Sequence, residues 1–241
     1  MKLINLPNII TCCNLLCGCL SIYFCLKFGS ITPACIFIIA GAVFDFFDGM
    51  TARALHISGP IGKELDSLAD AVTFGVAPAA LCYSILNSYT SSGDMGEWTD
   101  FLPTIAFIMA AFSALRLAKF NCDERQSLSF IGMPTPANAL LWIGLICLNQ
   151  IDAVHTALNT WLYIALMCIC SYLLICELPM FSLKIKPGHM GLKENITRYT
   201  FLALTVAIII VAAVSGYFLA CFAPIILLYI IFSIIDNCVK H

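Results

Sequence analysis

Four aspartates, Asp45, Asp48, Asp66 and Asp70, stand inside stretches that are otherwise apolar enough to lie in a bilayer. Each carboxylate at bilayer depth costs about 2.5 to 3.5 kcal/mol even on the mildest insertion scale, so four within one short stretch require a compensating purpose. Metal binding is the purpose that fits. The composition around them excludes an ordinary soluble domain: of 241 residues, 61% are hydrophobic and only 11% charged. An all-α, polytopic membrane helix bundle is therefore expected.

Eight apolar segments of about 15 to 25 residues, the length a bilayer requires, can be drawn. They run near Ile9 to Leu26, Thr32 to Leu55, Leu65 to Leu86, Phe101 to Phe120, Ala137 to Leu148, Ala157 to Leu178, Tyr199 to Val214 and Tyr217 to Ile235, the fifth being the shortest. The first is read as a retained span, because no cleavage context follows it. Threading all eight places Lys2, Arg53, Lys63, Arg116, Lys119, Arg125, Lys184, Lys186, Lys193, Arg198 and Lys240 on one side, with Lys27 the exception. The opposite side has the acidic loop from Asn87 to Asp100. Positive charge marks the cytoplasmic side, so both termini and the aspartates are expected there. A bacterial cell (inner) membrane and a single domain over 1–241 are expected, with a catalytic core over about 1–178 and an added two-helix unit over about 199–236.

Helical geometry groups the acids. At about 100° per residue, Asp48, Ala52, Asp45, Gly49 and Arg53 fall within one arc of roughly 140°, and Gly62, Asp66 and Asp70 form a stripe about 80° wide. Gly59 and Pro60 read as a turn between the two segments, so the helices become antiparallel neighbours and the four carboxylates can converge. One arginine cannot neutralise four acids. Two divalent cations can, and hard oxygen donors without nearby histidine or thiolate suit Mg²⁺, Mn²⁺ or Ca²⁺. Paired ions of this kind serve phosphoryl chemistry, where Arg53 can grip a phosphate and Gly49, Ala52 and Gly62 leave room.

The pattern Asp45-x2-Asp48-Gly49-x2-Ala52-Arg53-x8-Gly62-x3-Asp66-x3-Asp70 resembles the complete signature of the CDP-alcohol phosphatidyltransferases. The resemblance implies a membrane enzyme that displaces CMP from a CDP-linked lipid with an alcohol, and it implies a homodimer. Asp45, Asp48, Asp66 and Asp70 would ligate the metal ions. Asp48, Gly49, Ala52, Arg53 and Gly62 would receive the CDP-diacylglycerol. Asp70 would also serve as the general base. Asn8 and Thr11 can cap the first helix, but in the resembled family a similar segment contributes to the nucleotide-lipid pocket; Asn14 is a further candidate there. Arg116-Leu117-Ala118-Lys119-Phe120-Asn121 can anchor a helix end at the membrane surface. It also resembles a segment of the phosphatidylserine synthase branch, as does Gly132-Met133-Pro134-Thr135-Pro136. That makes L-serine the implied alcohol, with Arg116 and Lys119 offered to its carboxylate and Asn121 as a polar orienter.

Other readings follow from the same residues. Glycerol 3-phosphate or inositol phosphate as acceptor would call for more basic side chains than Arg116 and Lys119. A cation transporter explains buried acids but not Gly49, Ala52 and Arg53 at fixed offsets. Fourteen cysteines read as small apolar packing residues. A net charge of −2 without a basic run argues against nucleic acid, leaving membrane lipids as the surroundings.

Overall fold

The computed structural model describes residues 4–57, 59–90, 101–123, 131–150, 160–180 and 192–240. Among these residues the chain is helical, apart from connections and an isolated β-bridge between Ile131 and Pro179. Lys2, Ser58, the acidic residues of 91–100, Arg125, Lys184 and Lys186, which bear on the orientation and turn readings, lie outside the described residues.

Helix α1 (Leu6–Phe28) starts where Asn5 Oδ1 accepts the Asn8 backbone N–H at 2.9 Å, with Pro7 in the first turn. A proline there gives up no helical hydrogen bond. The helix stops at Gly29, whose φ of 61° is left-handed, and whose N–H turns back to the Cys25 carbonyl. Helix α2 (Ile31–Ala54) then runs antiparallel to α1, fastened by Ser21 Oγ donating to the Ala34 carbonyl at 2.8 Å. Past the link, Pro60 opens α3 (Pro60–Asp70), which continues through a wide π-type turn (Ala71–Val76) into α4 (Ala77–Thr90). In that turn the Ala77 N–H reaches back five residues to the Val72 carbonyl. Pro78 explains the widening, since it has no N–H for the Phe74 carbonyl and its ring crowds that group. A proline within an apolar helix predicts a bend, and here it takes the form of this widened turn just before Pro78.

The rest of the bundle comprises α5 (Phe107–Cys122), α6 (Thr135–Leu148), α7 (Thr160–Ile175), α8 (Leu192–Ser215) and α9 (Phe222–Lys240). Short 3₁₀ turns, Leu102–Ala106 and Phe218–Cys221, lead into α5 and α9. The continuous helix Pro60–Thr90 is the central post: 67% of its apolar window is buried, against 11% for the window in α8. Phe74, Leu81 and Leu86 of the post meet Met109, Trp142 and Tyr163 in a core closed to solvent. Leu16, Tyr23, Phe46, Leu115 and Val211 point outward instead. Such a belt has its natural solvent in lipid.

Among the described residues, six helices are long and apolar enough to cross a membrane: Leu6–Phe28, Ile31–Ala54, Pro60–Thr90, Leu102–Cys122, Arg198–Ser215 and Phe218–Asn237. The protein is thus built as a multi-pass membrane protein. The other two of the eight expected segments correspond to shorter apolar helices among the described residues. Helices α6 and α7 are apolar but have 14 and 16 residues. At 1.5 Å per residue they extend about 21 and 24 Å, less than the roughly 30 Å hydrocarbon core. Helix α9 lies directly on α6: a Cβ at Gly144 would stand 2.1 Å from the Ala223 nitrogen.

Candidate active site

The α1–α2 hairpin and α3 bring acidic side chains together near the end of the bundle that carries the α2–α3 link. One carboxylate oxygen each from Asp45 and Asp48 of α2 and Asp66 of α3 lies within 4.8 Å of the others, and the carboxyl groups of Asp45 and Asp66 touch. Asp48 is buried, and Thr11 Oγ1 donates to its Oδ2 at 2.6 Å. The Pro7 carbonyl, 3.1 Å from the same hydroxyl, offers an alternative acceptor one turn back. Thr11 is therefore set to orient this carboxylate.

Asp70 stands apart from this trio. It is buried one turn further along α3, where Asn14 Nδ2 donates to its Oδ1 at 3.2 Å, and it remains within electrostatic reach of the other three acids. Asn14 is fixed in turn by α1 itself and by the π turn, as Thr73 Oγ1 donates to the Asn14 backbone carbonyl at 3.0 Å. Gly18 and Gly41 permit that approach. A Cβ at Gly18 would stand 2.5 Å from Thr73 Oγ1, and one at Gly41 would stand 2.5 Å from Thr73 Cγ2. The four carboxylates are thus arranged as three plus one, with Asp70 drawn to Asn14 and the other three facing one another.

A cavity of about 550 Å³ opens beside the trio, with Asn8, Thr11, Asp48, Gly49, Ala52 and Gly62 in its wall. The two glycines here differ in kind from Gly18 and Gly41. A Cβ on Gly62 would meet Asn8 Oδ1 at 3.5 Å, and one on Gly49 would meet the Arg53 guanidinium at 3.5 Å, both ordinary contacts. Helix packing does not demand glycine at either position; an open cavity does. The Arg53 side chain, exposed to solvent, folds back beside Gly49 at this rim.

Among the described residues, no lysine or arginine forms an ion pair with any of the four aspartates; the ion pair present joins Lys119 Nζ and Glu177 Oε1 at 3.6 Å. Three mutually close carboxylates without a counter-ion fit a hard divalent cation, whose charge removes their repulsion. The described cysteines are free thiols, and none belongs to this cluster.

The three residues expected at the acceptor side separate. Arg116 is buried, stacks over Phe120 with its guanidinium carbon 5.1 Å from the ring centre, and lies within electrostatic reach of Asp70. Lys119 turns to α7, donating to the Ile175 carbonyl at 3.3 Å beside its ion pair with Glu177. Asn121 Nδ2 donates to Ser67 Oγ at 2.7 Å, while its backbone carbonyl accepts Lys63 Nζ at 2.9 Å. The last two therefore tie α5 to its neighbours. His56 is exposed at the end of α2 with a φ of 53°, and its Nδ1 meets the Arg53 carbonyl at 2.9 Å, away from the acids.

Sequence reasoning passed over Gly18, Gly41 and the contact role of Thr73. The available signal was faint: a threonine three residues past Asp70, and two glycines within apolar helices.

Residues 4–170 match the family model described as CDP-alcohol phosphatidyltransferase. The chain belongs to this family. The match takes in α1 through most of α7, and so includes every aspartate of the site; α8 and α9 lie beyond it. Among curated relatives of this family member, the CDP-diacylglycerol–serine O-phosphatidyltransferase of Bacillus subtilis (strain 168) is 43% identical over 135 residues, covering 54% of this chain and 69% of the relative. The protein of the same name from Mycobacterium leprae (strain TN) is 36% identical over 182 residues, covering 73% of this chain and 57% of the relative. That from Saccharomyces cerevisiae is 35% identical over 160 residues, covering 60% of this chain and 54% of the relative. The match thus spans little more than half the length of the mycobacterial and yeast proteins.

Proposed function

We propose that this protein transfers the phosphatidyl group of CDP-diacylglycerol to the hydroxyl of L-serine, yielding phosphatidylserine and CMP, with two divalent cations, Mg²⁺ or Mn²⁺, as cofactors. The observation that carries the reading is the trio Asp45, Asp48 and Asp66 opening onto a cavity whose glycines answer to no packing need. Family membership supports the transfer chemistry, and the names of the relatives support serine as acceptor.

Asp45, Asp48 and Asp66 would hold the ions, which when bound stabilise charge on the entering and leaving oxygens of an in-line displacement. Thr11 fixes Asp48 for that task. Gly49, Ala52 and Gly62 admit the cytidine diphosphate, Asn8 and Arg53 meet it at the rim, and the acyl chains stay in lipid. Asp70, held by Asn14, takes the serine hydroxyl proton as general base; the oxygen attacks the β-phosphorus and CMP departs. Arg116 is the cation for the serine carboxylate, since it lies near Asp70, while Lys119 and Asn121 hold α5 in place. A phosphorylated acceptor is disfavoured, because Lys119 is turned towards Glu177.

Arg53, Lys63, Arg116 and Lys119 share the end of the bundle that holds the aspartates, which supports a site facing the cytoplasm of a bacterial inner membrane. The chain acts as one catalytic domain and as a homodimer, with the α8–α9 pair as an addition outside the family match.

The test supplies purified membranes with CDP-diacylglycerol and, separately, labelled L-serine, glycerol 3-phosphate and inositol phosphate. Label is expected in lipid from serine, with stoichiometric CMP. Lipid labelling from another alcohol in place of serine would refute the acceptor assignment.

A further inference from the structure

Beyond Asp70 the interior holds polar groups that the chemistry above does not use. Asn138 of α6 is fully buried, and neither its Oδ1 nor its Nδ2 has a hydrogen-bond partner among the described residues. Ser113 of α5 is fully buried as well, with an unpartnered Oγ. Arg116, one turn from Ser113, makes a long 3.5 Å hydrogen bond to Thr135 Oγ1 and leaves its Nε unpartnered among the described residues.

Helices α5 and α6 are consecutive and meet through Arg116 and Thr135. Arg116 lies in the C-terminal half of α5 and Thr135 opens α6, and for antiparallel helices meeting there one turn back along α5 and one turn on along α6 place Ser113 and Asn138 at similar depth. Ser113 lies against the π turn that follows Asp70: a Cβ on Gly75 would stand 3.1 Å from its Cβ. A polar strip therefore leads inward from Asp70, past Arg116, to Ser113 and Asn138. Buried amides and hydroxyls in native interiors are normally hydrogen-bonded, so unpartnered groups at similar depth beyond Asp70 are ready to take their partners from a ligand.

Building on the acceptor reading above, we propose that Ser113 and Asn138 form the pocket for the amino-acid end of the acceptor. Asn138 Oδ1 and Ser113 Oγ accept from the ammonium, while Asn138 Nδ2 and Arg116 donate to the carboxylate. The zwitterion needs acceptors and donors together, and these side chains offer both. With its charged end held in the strip, the hydroxyl end of a short amino acid points back to Asp70. Asn138 thereby acts as a specificity residue for a small α-amino acid over a phosphorylated alcohol.

The test measures the KM for L-serine and for CDP-diacylglycerol, together with thermal unfolding in detergent, for wild type, Asn138→Leu, Asn138→Ala and Ser113→Ala. Loss of a hydrogen bond to a charged group is expected to raise the serine KM about ten- to a hundredfold in both Asn138 variants, and less in Ser113→Ala, with the CDP-diacylglycerol KM unmoved. The melting temperature of Asn138→Leu should hold or rise, because an orphaned buried amide is removed. A serine KM within about twofold of wild type in both Asn138 variants overturns the pocket. So does a lowered melting temperature with both KM values rising together, which marks a structural amide. Should Asn138→Leu not accumulate, Asn138→Ala decides by the same criteria. If wild type transfers to serine and the variants do not differ, only this pocket falls; if wild type does not use serine at all, the acceptor reading falls with it.

Discussion

Gly18 and Gly62 lie on helices that meet the site, yet the structure assigns them opposite reasons for lacking a side chain, and alanine substitution separates those reasons. At Gly18 the added Cβ would stand 2.5 Å from Thr73 Oγ1 and 2.9 Å from Thr73 Cα, so backbone as well as side chain must yield. Overpacking of this kind costs about 1–3 kcal/mol. Because Thr73 sits three residues past Asp70 and bonds to the Asn14 carbonyl, the displacement reaches the residue that holds Asp70. At Gly62 the added Cβ meets Asn8 Oδ1 at 3.5 Å and nothing closer. Replacing a helical glycine there gains up to about 1 kcal/mol of helix propensity. For a chain of this size, each kcal/mol moves the melting temperature by about 2–4 °C. Gly62→Ala should therefore melt at or slightly above wild type, with a raised KM for CDP-diacylglycerol because the methyl enters the cavity. Gly18→Ala should melt several degrees lower and lose turnover. Differential scanning fluorimetry on detergent-purified variants, paired with CMP-release kinetics, reads both quantities. A Gly62→Ala variant that melts lower, or that keeps the wild-type CDP-diacylglycerol KM, would refute the reasoning.

Three further expectations rest on single contacts. Thr11→Val removes the 2.6 Å hydrogen bond to Asp48; supporting groups of this kind are worth about ten- to a hundredfold in metal affinity, so the Mn²⁺ concentration for half-maximal activity should rise accordingly, as a metal titration will show. Asp70→Asn keeps the shape and the Asn14 neighbour but removes the base, so CMP release should vanish while a CDP-diacylglycerol binding assay stays near wild type; retained turnover would dismiss the base role. Gly144→Ala drives a Cβ to 2.1 Å from the Ala223 nitrogen and should force α9 off α6, seen as a lowered melting temperature and faster proteolysis between α8 and α9.

How far the sequence foretold this structure depends on the range of the interaction. Asp45, Asp48, Gly49, Ala52 and Arg53 share a face through spacings of three and four, and local helical geometry settles such faces without tertiary knowledge. The same holds for Gly62, Asp66 and Asp70, and the motif led directly to the family. Distances between helices were not legible in this way. That Asp70 stands outside the trio depends on how Asn14, Thr73, Gly18 and Gly41 close together, and the π turn reflects Pro78 acting on Phe74 within a packed core. Lys119 looked like a second cation for the acceptor, but Glu177 on the chain after α7 competes for it, and no spacing along α5 announces that partner. Ser113 and Asn138 sit in apolar runs, where nothing in the spacing announces that they are buried without partners.

Direct counting of bound metal reaches the centre of this account. Mn²⁺ titration of the purified protein, followed by electron paramagnetic resonance, should find two ions per chain in the presence of CDP-diacylglycerol, with the spectrum broadened by their mutual coupling, and should find this signature lost in Asp66→Asn. Wild-type protein that binds no Mn²⁺, or an Asp45→Asn, Asp48→Asn, Asp66→Asn triple variant that binds it as wild type does, would contradict the account.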